Sequence, residues 1–336
     1  MTIQTERQVL KRKMSFDPAY IQKFEEKMFI EGPTSARRLT NFFTLLLLAT
    51  FIATYGLLSS STATIIGAMI VAPLMGPIMA TTAAVVMGHS RRALRSLGLA
   101  LVGILAVIAC SYVLALIVPN FAISFTANPE LASRINPGLY ALLTALGSGA
   151  AGAFITSRDE IADSMGGVAI AISLVPPLCV VGIALQMSNW AAAAGALLLF
   201  ATNFLAILLA GGLTFLIVGL GRVATTQAQI SLRRRGFVLF FIGTLLVAVP
   251  LTLTASRALR DVADTNTAAA VIHQWLQGSA YQELSVDVEN QLVIASVEGS
   301  GDLKPAQTLA ERLAAALGHP IIVHLRMVPT ESASSP

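Results

Sequence analysis

Gly67-Ala-Met-Ile-Val-Ala-Pro73-Leu-Met-Gly-Pro77 returns one hundred residues later as Gly167-Val-Ala-Ile-Ala-Ile-Ser173-Leu-Val-Pro176-Pro177. Gly67 aligns with Gly167, Ile70 with Ile170, Leu74 with Leu174 and Pro77 with Pro177. Four of the twelve positions from 67 to 78 are identical, where so biased a composition gives roughly one by chance. Similarity at one fixed offset is the mark of an internal duplication. Proline-broken apolar segments in matching halves point to a pathway at the bilayer midplane.

The match continues outward. Thr44 and Leu46 align with Thr144 and Leu146, and Leu105 and Ala106 with Leu205 and Ala206. The surrounding chain is built for lipid. Of its 336 residues, 55% are hydrophobic and only 12% charged, against about 25% charged in a soluble domain. Between Asn41 and Ser256 the charges fall in short clusters, at 91–95, 130–134, 158–163, 222 and 233–235. The intervals are long enough to cross a bilayer, which takes about 20 apolar residues. Seven spans are expected, near 42–58, 62–87, 97–118, 138–156, 165–187, 191–218 and 236–255.

Lys and Arg set the expected orientation. The first 41 residues hold eight of them. Arg91, Arg92 and Arg95, then Arg158, then Arg222 and Arg233 to Arg235 follow at alternate loops. The opposite loops hold only Arg134. The N-terminus is therefore expected in the cytoplasm and the C-terminus outside it. Three spans per half, an odd number, make the duplication an inverted repeat. The expected fold class is an all-α multi-span membrane protein, a 3+3 inverted repeat with broken helices. Repeat 1 is 42–118, repeat 2 is 138–218, and 236–255 is an extra span.

The two ends differ from this middle. Residues 1–41 are polar and basic, with no apolar core segment, so no signal peptide is expected. Asp17-Pro18 reads as a helix start. Tyr20, Ile21, Phe24 and Met28 would share one face, either packed on the protein or lying on anionic lipid. From 257 to 329 the pattern changes to a small αββαβ domain, expected on the extracytoplasmic side, and 330–336 reads as a disordered tail.

Proline lacks the backbone N–H and clashes with the carbonyl four residues back. On the sequence, Pro73 and Pro77 would free the carbonyls of Met69 and Pro73, and Pro176 and Pro177 those of Ile172 and Ser173. In hydrocarbon such carbonyls must face protein, water or ligand. Gly76, Ser173 and Asn203 complete the expected substrate-contacting set, and Thr81, Thr82 and Thr202 are further hydroxyl candidates. Packing kinks and interhelical hydrogen bonds are the plainer alternatives for the same residues. No Asp, Glu, Lys, Arg or His lies deep in an expected span, which argues against a proton relay. Cys110 and Cys179 both sit in apolar stretches, so neither a disulfide nor a metal site is expected. His319 and His324 do not make a tetrahedral metal set. No nucleophile–base set points to an enzyme, and no cofactor is expected.

Residues 66–78 and 167–178 resemble the two signature stretches of a bacterial and archaeal membrane family. It is the family numbered 389 among the domains of unknown function, also called the uncharacterised hydrophobic domain. Gly147 to Ala153 and Leu198 to Asn203 resemble its intervening pattern, and the likeness spans about 42–220. The resemblance implies a multi-span inner-membrane protein and no established substrate.

Together these readings give an inner-membrane transporter or channel for a small solute or ion, with its pathway at the paired breaks. A non-transporting sensor or scaffold, working through the C-terminal domain, is the alternative. The expected partners are the lipid bilayer and the solute, with no nucleic acid. The small-residue run Gly147-Ser-Gly-Ala-Ala-Gly152 would serve close packing within the subunit, or contacts between subunits in a homo-oligomer.

Overall fold

Two helix stops in the left-handed conformation, one hundred residues apart, punctuate the helical core. The computed structural model describes residues 21–120, 123–135, 138–158, 174–223, 226–279, 281–289, 292–299, 305–318 and 320–329. The chain divides into two compact units, Met1–Leu251 and Thr252–Pro336.

In the first unit α1 covers Ile21–Met28 and α2 covers Ser35–Leu58. Then come α3 (Thr62–Val71), α4 (Met75–Met87), α5 (Ser90–Ala115), α6 (Pro129–Ile135) and α7 (Leu139–Thr156). Beyond them lie α8 (Val175–Gln186) and α9 (Trp190–Val218). Among the described residues α2, α5, α7 and α9 are each long and apolar enough to cross a membrane. The pair α3 and α4 passes the same test together, bent by 49° at a short break, which makes five. The expected break in 62–87 is thus present. Of the expected fifth span, 165–187, the shorter apolar helix α8 is described, while 165–173 lies outside the described residues. The expected seventh span falls within α10, the 50-residue helix Gln227–Leu276, which also carries the boundary between the two units.

Two turns one hundred residues apart share a backbone pattern. Gly88, after α4, has φ 74°, and Ser188, after α8, has φ 56°. In both turns the next N–H reaches back five residues: His89 N donates to Ala84 O and Asn189 N to Ala184 O, each at 2.8 Å. These are helix stops with a left-handed residue, followed at once by a new helix. A left-handed conformation costs an L side chain roughly 1–2 kcal/mol. Gly88 meets a further constraint, since a Cβ there would lie 2.7 Å from Gln229 Cα. That crowding accounts for glycine at 88 where serine serves at 188.

The halves also exchange contacts. α8 packs on α5 and α4 packs on α9. Ser111 Oγ donates to Cys179 O at 2.9 Å. Shifting each residue by one hundred gives Gly211 and Met79, and a Cβ on Gly211 would lie 3.1 Å from Met79 Cε. Likewise a Cβ on Gly182 would lie 2.8 Å from Tyr112 N, and one on Gly212 would lie 3.4 Å from Thr82 Cγ2. The outward faces match too: Ile117 is 72% exposed and Ile217 69%. Bare apolar side chains on the flanks of a well-packed core suit a lipid solvent.

α1 answers the question left open for the N-terminal segment. Phe24 is 1% exposed, with Ile21 and Met28 partly buried beside it. The Phe24 ring meets the Phe215 ring of α9 edge-on, with centroids 5.9 Å apart. The helix therefore packs on the protein. Asp17, Pro18 and Tyr20 lie outside the described residues.

In the second unit β1 (Tyr281–Glu289), β2 (Leu292–Gly299) and β3 (Ile322–Pro329) form one sheet in that order, with α11 (Ala306–Leu317) between β2 and β3. β1 and β2 are antiparallel, β2 and β3 parallel. Alternate residues of β2, Val293, Ala295 and Val297, are buried. They pack with Ile272 and Trp275 of α10 and with Leu309 and Leu313 of α11. Period-two burial along a strand covered by helices on one face is the expected physics of such a layer.

Candidate pathway at the first helix break

The break begins where α3 runs out of donors. Ala72 N still bonds Ala68 O at 3.0 Å, but Pro73 has no N–H to give the carbonyl of Met69. Ala72 turns extended, with ψ 121°, and Leu74 caps the start of α4. Pro73 is the break. Pro77 is not, which corrects the expectation for it. Pro77 stands third in α4, in the first turn, where an N–H has no helical partner to lose. The carbonyl of Pro73 is not freed either; it accepts from Gly76 N at 3.1 Å. Pro176 and Pro177 repeat the pattern, standing second and third in α8, both buried. They start that helix. Ile172 and Ser173 lie outside the described residues.

Thr81 and Thr82 stand on α4 and Thr202 on α9. Their hydroxyls donate to their own helix, to Pro77 O (2.8 Å), Ile78 O (3.0 Å) and Leu198 O (2.7 Å). Such back-bonding satisfies the hydroxyl locally. Asn203 is buried on α9, and Met69 is half-buried on α3.

Pro73, Gly76 and Pro77 do come together, in the wall of a cavity of about 500 Å³. Phe42, Leu45 and Leu99 supply apolar lining from α2 and α5. A further part of the wall is the chain from Lys27 to Glu31, at and beyond the end of α1. Arg38 fastens that segment, donating to Glu26 O (2.8 Å), Lys27 O (2.6 Å) and Phe29 O (2.7 Å). A cation on the last carbonyls of a helix is favourably placed. Arg92 lies over the Phe29 ring, 4.7 Å from its centroid, and pairs with Glu25 (2.9 Å) and Glu31 (3.2 Å). Sequence reasoning missed these cavity-lining cations. It used the same arginines only to orient the chain.

A second polar feature lies deeper and was also missed. Thr54 Oγ1 donates to Ser111 Oγ at 3.0 Å, and Ser111 in turn to Cys179 O. All of Thr54, Ser111 and Cys179 are fully buried. The chain of bonds ties α2, α5 and α8 together. Its partners satisfy one another, so it reads as interhelical glue.

Residues 69–209 match the family described as a domain of unknown function, DUF389. An uncharacterized protein of Methanocaldococcus jannaschii, MJ0678, is 31% identical over 176 residues, covering 52% of this chain and 53% of the relative. The chain thus spans about half the length of that relative. No solved structure matches. Pro73, Gly76, Pro77, Arg92 and Arg95 lie inside the matched segment, whereas α1 and Arg38 precede it.

The break makes one distinction testable. Pro73→Ala restores a donor for Met69 O and removes a residue that costs about 3 kcal/mol in a helix interior. It is expected to straighten the 49° bend between α3 and α4. Pro77→Ala, in a first turn, is expected to leave the bend unchanged. Spin-label distances between Thr62 and Met87 in the two variants would read the difference.

Proposed function

We propose that this protein conducts a small solute across the inner membrane, between two inverted three-span repeats. Its pathway passes the break at Pro73. The observation that carries the reading is the exchange of contacts between the halves, Ser111 with Cys179 against Gly211 with Met79. Two matched three-helix bundles that trade their middle helices form the frame that alternating-access and pore-type carriers share. The cavity supports the reading further, because it is lined by the broken segment itself. In this account seven spans leave the N-terminus in the cytoplasm and the C-terminal unit outside. Alkaline phosphatase fused after Ser279 is then expected to be active, and fused after Arg92 inactive. The opposite pattern would reject the seven-span orientation.

Purified protein in liposomes tests the function. Passage of at least one of chloride, phosphate, potassium or glycerol above empty liposomes is expected. Silence toward all four, from protein that remains folded, would favour an anchored sensor or scaffold instead.

A further inference from the structure

The cavity at the break carries a charge pattern that the pathway reading does not need. Its lining holds four cationic side chains, Lys27, Arg38, Arg92 and Arg95, against one carboxylate, Glu31. Arg92 divides its charge between Glu25 and Glu31. Arg95 shares only Glu31, at 3.8 Å, with its side chain 66% exposed. Arg38 is held by three backbone carbonyls, which fix its guanidinium without neutralising it. Positive charge is therefore in excess around an opening of about 500 Å³ whose remaining wall is largely apolar. Low-dielectric walls strengthen and focus such a field. Asn41 and Ser96 add neutral donors to the same lining. The start of α4 adds to the pattern without carrying it. Gly76 and Pro77 of its first turn line the cavity, that turn holds no acid, and no side chain caps it.

We infer that this cavity is an anion site and that the solute is a small oxyanion, of the phosphate or carboxylate class. The inference rests on the pathway reading for the identity of the solute, but the binding site can be tested apart from transport. Arg95 is the recognition residue. It is the cation least engaged by protein partners, so an incoming oxyanion displaces only its long contact to Glu31. Arg38 and Arg92 contribute field from positions already fixed by α1.

The test has a binding arm and a flux arm on the same purified chain. In detergent, at constant ionic strength, saturating inorganic phosphate or acetate is expected to raise Tm by about 2–4 °C over chloride-matched buffer. Arg95→Gln is expected to weaken the phosphate effect about tenfold in concentration, and Arg95→Lys to retain most of it. In liposomes, phosphate or acetate is expected to pass in preference to potassium and glycerol, with the same order among the variants. Stabilisation without flux would keep the anion site and reject the pathway. Flux of potassium or glycerol with no anion stabilisation would keep the pathway and reject the anion site. A Tm rise equal in wild type and Arg95→Gln would also reject the site. Stabilisation by short-chain phosphatidylglycerol, with none by phosphate or acetate, would put a lipid headgroup there and overturn the inference.

Discussion

Gly182→Ala is expected to destabilise the membrane core more than any other single-methyl addition on α8. The added Cβ would lie 2.6 Å from Ile108 O and 2.8 Å from both Ser111 Cβ and Tyr112 N. Two of those atoms belong to the α5 backbone, so no side-chain rotation relieves the clash. Overpacking of this kind costs about 1–3 kcal/mol, and the upper end fits a backbone-to-backbone contact. Thermal unfolding in detergent measures it. The control is Gly147→Ala on α7, where a Cβ meets nothing within 4 Å. Gly149, two residues on, behaves like Gly182: its Cβ would lie 2.7 Å from Ile207 Cα. Within one glycine run, then, Gly149 seats α7 on α9 and Gly147 does not. A destabilised Gly147→Ala beside a neutral Gly182→Ala would show that the helix contacts described above are wrong.

Gly76→Phe should abolish most of the flux while leaving the fold intact. Gly76 lines the cavity, and a Cβ on it points into open space. A benzyl group there is expected to extend into the opening at the break. Flux is expected to fall by at least about tenfold, an added barrier of about 1.4 kcal/mol. Gly76→Ala, which adds one methyl to the same open space, should conduct nearly as wild type. If folded Gly76→Phe conducts normally, the solute does not pass this break.

Several local features recur at an offset of one hundred residues, which a reading of register can find. Leu74 and Leu174 precede their helices at matching positions, and the stops at Gly88 and Ser188 fall at the same offset. α7, expected over 138–156, is Leu139–Thr156. The expected break in 62–87 is present for the reason given on the sequence, the missing N–H of Pro73. What misled was reading Pro77 as a break. A proline in the first turn of a helix costs nothing, and only the position of the preceding helix end tells the two cases apart. Pro77 looks like Pro73 in the sequence and acts oppositely in the fold, whereas the chain before Pro176 and Pro177, at 159–173, lies outside the described residues. The cavity was illegible for another reason. Its walls come from α1, α2, α4 and α5, and Arg92 reaches it only because Glu25, Phe29 and Glu31 hold it there. No pattern of spacing encodes such a meeting. The hydroxyls of Thr81, Thr82 and Thr202 each donate to a carbonyl one helical turn back, a local bond that the residue types alone do not announce.

The central claim is that the two halves are inverted with respect to the membrane. Ser90 and Trp190 open the third helix of each half at the same register, and both are exposed. Single cysteines at these two positions, with Cys110 and Cys179 replaced by alanine, can be labelled in intact cells by a membrane-impermeant maleimide. Inversion predicts that Trp190→Cys labels from outside and that Ser90→Cys labels only after the membrane is opened. Labelling of both from the same side would contradict the inverted repeat and, with it, the pathway between its halves.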